Sequence, residues 1–360
     1  MASSLIVLSL LLSFSLLSTP IAPSPSPSPY LSPIFLKNYN SMSATLRIFT
    51  YIPFKPFSFS SPAESLFYNS LLTSPYATHD PDRAHLFFIP FSPDLSTRSL
   101  ARLIRTLRTD LPYWNRTLGA DHFFLSSSGV GYSSDRNVVE LKKNAIQVSS
   151  FPVPAGKFIP HKDISLPPVS GWVPVPVDES TVRERVLGFV GYGSVRSLSL
   201  VKELIEDPEF LMESEPPLTP SSYGEKLAKS DFCLFEYGSG GDGGGSGDVS
   251  GIGEALRFGC VPVVISDRPI QDLPLMDIVR WQEMAVIVGG GGGIQGVKKV
   301  LRRVDEESLA RMKRLGAAAA QHFLWNSPPQ PLDAFNTVAY QLWVRRHAVR
   351  YAERREWAQN

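Results

Sequence analysis

The stretch that decides the fold is Gly253–Trp281, GEALRFGCVPVVISDRPIQDLPLMDIVRW. Within it, Val261–Ile265 is a β-branched run, which is typical of a parallel strand buried on both faces. It follows a glycine-rich stretch, which itself follows the strand-like Phe232–Tyr237. The local order is strand, glycine loop, short helix, strand and carboxylate, and this order predicts a nucleotide-binding βαβ unit.

The glycines and carboxylates of this unit are candidate phosphate and sugar contacts. In open α/β sheets, ligands bind beyond the carboxyl ends of the strands, where glycine loops present backbone N–H groups to phosphates. The backbone of Gly251 and Gly253 is therefore expected to face phosphate oxygens. Glu254 and Asp267 lie where a carboxylate meets sugar hydroxyls.

Two other glycine turns follow predicted strands. Gly191 opens the first, after Val186–Val190, and Arg196 in the next helix is placed to reach a diphosphate or is an ordinary surface arginine. The second turn contains a literal G-x-G-x-x-G at Gly238, Gly240 and Gly243, which is formally a dinucleotide fingerprint. Ten more residues separate that motif from the helix, so a flexible insertion is the simpler interpretation. An NAD-dependent oxidoreductase is the alternative that the motif predicts.

The composition is that of a folded chain without a strong charge. Its 360 residues are enough for two ordinary domains, and 43% of them are hydrophobic, which supplies large cores. The net charge of +1 gives no long-range field that favours nucleic acid, so no nucleic-acid partner is expected.

The first 43 residues are expected to lie outside the folded domains. Residues 1–20 contain an apolar run, Leu5–Leu17, that is short for a spanning helix and resembles a signal-peptide core. A cleaved signal and a short type II signal anchor both stay open. Residues 21–43 begin with a proline- and serine-rich run and are expected to form an extended stem. Both alternatives place the folded part in the secretory lumen.

The secretory lumen is oxidising and is where glycans are attached, so two other features of the sequence are interpreted with this location in mind. Cys233 and Cys260 fall on two strands that are expected to be neighbours, so a disulfide and a pair of buried small apolar residues are equally compatible with the pattern. Asn115 begins the sequon Asn-Arg-Thr and is a candidate N-glycosylation site.

Strand and helix patterns alternate along the rest of the chain. They predict a first α/β domain over residues 44–180, a second over 181–330 and a C-terminal helix within 331–360. The proline-dense Phe151–Val177 is expected to be an ordered segment that crosses between the domains. The economical arrangement is two Rossmann-like α/β domains that face each other across a cleft.

Other polar motifs have competing interpretations. His122 is a candidate cleft residue, with a hydrogen-bonded core histidine as the alternative. Asp80-Pro81-Asp82 resembles a metal-binding D-x-D, but its position before a strand favours a cap or turn, and no metal is expected. Four arginines of one predicted helix are interpreted as a solvated face and not as a site for acidic ligands: Arg98, Arg102, Arg105 and Arg108.

Taken together, many ordered motifs resemble the exostosin-like family of glycosyltransferases, family 47 of the sequence classification. The resemblance runs from about Leu46 to about Val304 and covers most of the folded chain. It rests on Glu64 and Phe67, Thr78–Pro81, Ala84, Leu86–Phe91, Pro112–Arg116, Ala120–Phe124, Lys162–Pro167, Gly191–Arg196, Ser230–Leu234, Glu254–Ala255, Gly259–Val263, Asp267, Leu273–Pro274 and Trp281.

The resemblance implies a GT-B fold and an inverting, metal-independent transfer from a nucleotide sugar to a cell-wall polysaccharide or glycoprotein glycan. It also implies a type II Golgi membrane protein, with other Golgi glycosyltransferases as candidate partners; secretion is the alternative. The second domain would hold the donor, with Glu254 on ribose or sugar hydroxyls, Arg196 on the diphosphate and Asp267 lining the site. His122 and Asp163 are the acceptor-side candidates for the catalytic base.

Three departures from the family pattern keep an alternative open. Gly251 stands where the family places an arginine, the preceding glycine loop is longer, and Ser127-Ser128-Gly129 replaces a His-Asp pair. The alternative is a non-catalytic relative that binds glycans or stabilises a complex.

Overall fold

The computed structural model describes residues 28–53, 55–169, 185–192, 194, 200–215, 219–237 and 249–357. The predicted signal or anchor over residues 1–20, Arg196 and the Gly238–Gly243 motif lie outside these residues. Within the described part of the chain, no helix combines the length and the apolar character needed to cross a membrane.

The N-terminal half is built on a six-stranded parallel sheet in the order β2-β1-β3-β4-β5-β6. Its strands are β1 Ile48–Thr50, β2 Ala77–Thr78, β3 Leu86–Phe88, β4 His122–Leu125, β5 Ile146–Ser150 and β6 Ile164–Leu166. Its helices are α1 Phe35–Thr45, α2 Pro62–Thr73, α3 Thr97–Asp110, α4 Pro112–Thr117 and α5 Arg136–Asn144.

Both faces of this sheet are covered, as a parallel sheet requires. Along β3, Phe87 lies in the cluster that contains Leu100 and Ile104 of α3, whereas Phe88 lies in the cluster that contains Phe67 of α2. Successive side chains of a strand point to opposite faces, so the LFF run of β3 joins the two halves of the core.

The C-terminal half has a five-stranded parallel sheet in the order β11-β10-β9-β7-β8. Its strands are β7 Val186–Val190, β8 Phe210–Met212, β9 Ser230–Glu236, β10 Val261–Ile265 and β11 Val286–Val288. Its helices are α6 Val201–Leu204, α7 Pro220–Lys229, α8 Ile252–Arg257, α9 Gly293–Leu301 and α10 Glu306–Ala319. All five residues of β10 are buried between β9 and β11, which confirms the prediction for VPVVI.

Cys233 of β9 and Cys260, which immediately precedes β10, form a disulfide. The bond links strand β9 to the residue just before its hydrogen-bonded neighbour β10, and no free cysteine is left among the described residues. It closes the strand, loop and helix of the opening βαβ unit into one covalent ring.

The two sheets meet near the carboxyl ends of their strands. Asp272 accepts hydrogen bonds from the Val153 amide, at 2.6 Å, and from the Tyr237 hydroxyl. The Phe151 ring stacks on Tyr237 with ring centroids 6.0 Å apart. Since Phe151 follows β5 and Tyr237 follows β9, the two α/β domains face each other as predicted, in the GT-B arrangement.

The C-terminal helix α11, Ala334–Trp357, returns to the N-terminal domain. The Tyr76 hydroxyl donates to Asn336 Oδ1 at 2.6 Å, and Phe335 lies 5.4 Å from Phe67, centroid to centroid. Arg345 donates to the carbonyl of Lys162. Residues 331–357 therefore complete the first domain although they follow the second along the chain.

Two sequence-based expectations differ from the structure. The predicted stem extends to residue 43, whereas Phe35–Thr45 is a helix that buries Phe35, Tyr39 and Met42 at the helical spacing i, i+4, i+7. The preceding proline and serine run masks this short pattern. The crossing segment Phe151–Val177 contains a strand, β6, which is paired with β5; three buried residues among prolines give too little periodicity to predict it.

Candidate functional site

Two glycines predicted for the donor site, Gly191 and Gly251, border one side chain, Tyr223 of α7, and Gly251 also borders Glu254. A methyl group placed on Gly251 would lie 3.2 Å from the Tyr223 hydroxyl and 3.5 Å from Glu254 Oε2. A methyl group on Gly191 would lie 3.5 Å from the same hydroxyl. Both glycines therefore keep the backbone open next to Tyr223 and Glu254 at the carboxyl edge of the C-terminal sheet.

Tyr223 is a site residue that the sequence does not reveal. Its ring packs edge-on against Phe189 of β7, with centroids 5.9 Å apart. Glu254, in the first turn of α8, is only 6% exposed, so a carboxylate is held inside the protein at this edge. The cluster of Gly191, Tyr223, Gly251 and Glu254 is called the donor cluster below.

Gly253 packs tightly on its side-chain side, while its predicted backbone contact with phosphate stays a prediction. A methyl group on Gly253 would lie 2.8 Å from Phe323 Cβ, closer than real side chains approach. This glycine faces the 3₁₀ turn Ala320–Phe323 and lets α8 pack closely against it.

Replacing Gly253 with Ala is therefore expected to destabilise the protein by roughly 1–3 kcal/mol through overpacking. The matched control is Gly296→Ala in α9, where a methyl group meets nothing within 4 Å. That variant should be neutral or more stable by up to about 1 kcal/mol, because alanine favours a helix. Urea unfolding of both variants measures the contrast, and equal stabilities would contradict the assignment.

Asp267 and Arg268 follow β10 and face different partners. Asp267 Oδ1 accepts a hydrogen bond from the Gly290 amide at 2.8 Å and so caps the turn after β11. The Arg268 guanidinium lies 4.9 Å from the centroid of the Tyr237 ring. Its Nε is buried and has no hydrogen-bond partner among the described residues. Asp267 thus supports the turn after β11, its predicted place in the donor site stays a prediction, and Arg268 is a cation near the cleft.

Glu64 is the carboxylate at the opposing edge, in the N-terminal domain. It lies in the first turn of α2, is fully buried, and neither oxygen completes a hydrogen bond with a described residue. Burial raises the pKa of Glu64 to about 7, and the nearby Ser127 hydroxyl opposes part of that rise. Ser127 follows β4, so Glu64 lies at the carboxyl edge of the sheet.

Ser61 is the residue before α2, and its side chain does not cap the helix. Ser61, which precedes α2, lies 2.6 Å from Ser150 of β5, oxygen to oxygen. The sequence Ser61-Pro62-Ala63-Glu64 has the pattern of a capping box, which conceals any other role for the carboxylate. Its side chain does not make that cap, since both oxygens are unpartnered.

His122 does not face the cleft. It is the first residue of β4 and lies at the amino edge, where it is fully buried against Phe87. Its Nδ1 lies 2.7 Å from Asp121 Oδ1, and its Nε2 lies 2.9 Å from the Tyr51 hydroxyl. Burial lowers the pKa of His122. The histidine is a hydrogen-bonded core residue, the alternative that the sequence left open.

Asp163 also lies at an amino edge, just before β6. It is buried and pairs with two lysines, Lys142 Nζ at 3.4 Å and Lys162. The backbone amides of Gln147 and Ile159 donate to its oxygens at 3.2 and 2.9 Å. A carboxylate so fully engaged holds the sheet together and does not reach an acceptor hydroxyl.

The structure also shows the surroundings of the candidate glycosylation site, Asn115, and of the Asp80-Pro81-Asp82 motif. Asn115 is exposed on α4, as a glycan attachment site requires, and its Nδ2 donates to the Arg108 carbonyl at 2.8 Å. Asp80 accepts a hydrogen bond from the Asp82 amide at 3.0 Å and caps the turn Pro81–Arg83. The latter confirms the expected cap.

A fold of two facing parallel-sheet domains, with polar clusters at both carboxyl edges, defines a class of proteins that bind ligands in the interdomain cleft. Residues 42–303 match the exostosin GT47 domain. The match spans most of the chain, which therefore belongs to the exostosin GT47 family.

Named relatives agree with this membership. The chain is 28% identical to a probable glycosyltransferase of Arabidopsis thaliana over 89% of this chain and 66% of that protein. It is 28% identical to the probable beta-1,4-xylosyltransferase IRX10 of the same plant over 77% of this chain and 73% of that protein. The chain spans about three fifths to two thirds of the length of the first curated relatives that it matches.

Among solved structures, the glycosyltransferase SnogD from Streptomyces nogalater aligns with 83% of this chain and 99% of its own. The TM-score is 0.33 and the identity is 12%. The fold assignment rests on the two sheets and their facing carboxyl edges.

Proposed function

We propose that the protein is an inverting glycosyltransferase that moves a sugar from a nucleotide sugar to a cell-wall polysaccharide or glycoprotein glycan. The observation that carries the proposal is the donor cluster, in which Gly191 and Gly251 border Tyr223 and Gly251 borders Glu254, together with the buried Glu64 at the carboxyl edge of the other sheet. Family membership and the names of the relatives support it. The proposed location is the Golgi lumen on a type II anchor, with secretion as the alternative.

On the donor side, Glu254 would accept hydrogen bonds from ribose or sugar hydroxyls, and the open backbone at Gly191 and Gly251 would let the phosphates approach. Gly251 leaves the donor cluster without the family's arginine. Arg268 brings a cation to the same cleft, where it would stabilise the charge of the leaving diphosphate. Arg196 keeps its predicted role at the diphosphate.

On the acceptor side, Glu64 is the proposed general base. Its carboxylate would take the proton of an acceptor hydroxyl while that oxygen bonds to the anomeric carbon, and the diphosphate would leave with the electron pair of the broken C–O bond. A base whose pKa lies near 7 suits this task at neutral pH. The carboxylate has no exposed surface, so the proposal requires the segment around Ser127 to move when the acceptor enters.

The first test is nucleotide binding. We expect UDP or GDP to stabilise the protein by about 2–3 kcal/mol at a hundredfold excess over Kd. Glu254→Ala should abolish that stabilisation, whereas the exposed Glu307→Ala in α10 should retain it. Thermal unfolding with and without nucleotide measures both effects.

Two outcomes of the nucleotide-binding test would favour other functions. No shift with any nucleotide diphosphate would overturn the transferase and favour the non-catalytic, glycan-binding relative, which Gly251 in place of the arginine also favours. Stabilisation by NAD and none by UDP would favour the oxidoreductase.

A further inference from the structure

An arginine-lined surface on α3 is not used by the proposed chemistry. Arg98, Arg102 and Arg105 follow the spacing i, i+4, i+7, which places them on one face of the helix. All three are exposed, and none forms an ion pair with another described residue. Arg108, in contrast, binds Asn137 Oδ1 at 2.9 Å and lies 3.6 Å from Glu140. We call the first three the arginine ridge.

The ridge separates two hollows of the N-terminal domain. One, of about 420 Å³, is lined by all three ridge arginines together with Ser133, Ser134 and Asp135. The other, of about 650 Å³, lies where the loops after β1 and β3 leave the sheet, and Arg102 lines it too. The ridge therefore borders the carboxyl edge that faces the cleft.

The charges around the ridge are unbalanced. Lys55 joins Arg102 in the larger hollow, which makes four cations over the two hollows, and each hollow contains one carboxylate, Asp94 or Asp135. Asp135 is engaged as the cap of α5, since its Oδ1 accepts from the Asn137 amide at 2.8 Å. The whole chain has a net charge of only +1, so this local excess of cations is not a consequence of a basic composition.

The larger hollow also offers apolar surface, mainly at the half-buried Phe57, since Phe91 is only 8% exposed. Phe57 and Phe91 line it, with Pro53, Pro56 and Pro90 around them. Aromatic faces bind the apolar faces of sugar rings, and guanidinium groups bind carboxylates through paired hydrogen bonds. A ligand that combines rings with carboxylates at intervals matches this surface. Arg98 and Arg105 are about 10 Å apart along the helix axis, at 1.5 Å per residue, so the ligand is an extended chain.

We propose that the arginine ridge binds the carboxylates of a uronic-acid-containing polysaccharide, whose chain continues through the larger hollow toward Glu64. This rests on the proposed function, because it assigns the chain as the acceptor. The class of acceptor is then an acidic glycan.

The test measures binding of a defined oligogalacturonide to the full chain without nucleotide. The fully methyl-esterified form of the same oligosaccharide is the uncharged control ligand. We expect the acid to bind and the ester to bind roughly tenfold or more weakly. Arg98→Gln/Arg102→Gln/Arg105→Gln should weaken binding of the acid by about ten- to a hundredfold and leave the melting temperature unchanged. The affinity should fall with added salt.

A matched control removes the same charge elsewhere. Lys299, Arg303 and Arg314 are exposed in the C-terminal domain and form no ion pair with a described residue. Their triple Gln variant should bind the acid like the wild type. Equal binding of acid and ester, equal loss in both triple variants, or equal binding of a sulfated glycan or RNA would each overturn the inference.

The oligogalacturonide-binding test and the nucleotide-binding test can fail independently of each other. If UDP stabilises the protein but the oligogalacturonide does not bind, the transferase stands and the acidic acceptor falls. If the acid binds through the ridge and no nucleotide does, the ridge belongs to a glycan-binding relative.

Discussion

Replacing Glu64 with Gln is expected to lower kcat for sugar transfer by roughly 100- to 10,000-fold, the usual contribution of a general base. The substitution keeps the size of the side chain and removes its proton affinity. Stabilisation by UDP should be unchanged, because Glu64 lies on the N-terminal domain, across the cleft from Glu254. Steady-state kinetics together with nucleotide-dependent unfolding separate the two effects.

The same variant has a second readout that a merely inactive protein would not show. Glu64 has an unperturbed pKa of about 4.3 in an unfolded chain, and burial raises it to about 7 in the folded protein. Between these values the folded state holds a proton that the unfolded state releases, so the free energy of unfolding falls as pH rises. The total loss is on the order of 3 kcal/mol.

Glu64→Gln removes this pH-dependent loss. The variant should therefore be more stable than the wild type at pH 8, with a gap that narrows toward pH 5, whereas the exposed Glu307→Gln should show no such trend. Urea unfolding across this range measures it. Retained activity with the stability gain would remove Glu64 from catalysis, and the absence of any gain would show that the carboxylate is solvated.

The elements that the sequence predicts best are those whose pattern has one interpretation. VPVVI can only be a doubly buried strand, and the structure has it at Val261–Ile265, as it has β7 at Val186–Val190. Parallel strands end at one edge of a sheet, and Gly191 and Gly251, each predicted as a phosphate contact, both lie beside Tyr223 there.

The sequence-based predictions that failed depend on where a strand begins or on contacts between elements that are distant along the chain. A four-residue apolar strand such as β4 does not show where it begins, so His122 could be assigned to the cleft although it lies at the opposite edge. Tyr223 and Arg268 join the site through the packing of α7 and the exit of β10, which no local pattern records. Glu64 is noted in the sequence only as part of the family resemblance and not as a site residue, because a glutamate at that position of a helix already has a common structural explanation.

Asp163→Asn is expected to destabilise the protein by about 3–5 kcal/mol, the range for breaking a buried ion pair by removing one partner. The side chains of Asp163 and Lys142 have no exposed surface, and Lys162 is nearly as buried. Without the carboxylate, two buried ammonium groups lose their counter-charge, and burial already lowers the pKa of both lysines.

The control for this prediction is Asp94→Asn, an exposed carboxylate of the same domain, which should change the free energy of unfolding by less than about 0.5 kcal/mol. Asp163→Leu/Lys142→Met should recover part of the lost stability, because it removes one of the two buried ammonium groups that Asp163→Asn leaves without a counter-charge; Lys162 remains unpaired, so the recovery is partial. Urea unfolding ranks the three proteins. An Asp163→Asn variant that is as stable as the wild type yet inactive in transfer would return Asp163 to the catalytic site. The loss of activity could then not be explained by a loss of the fold.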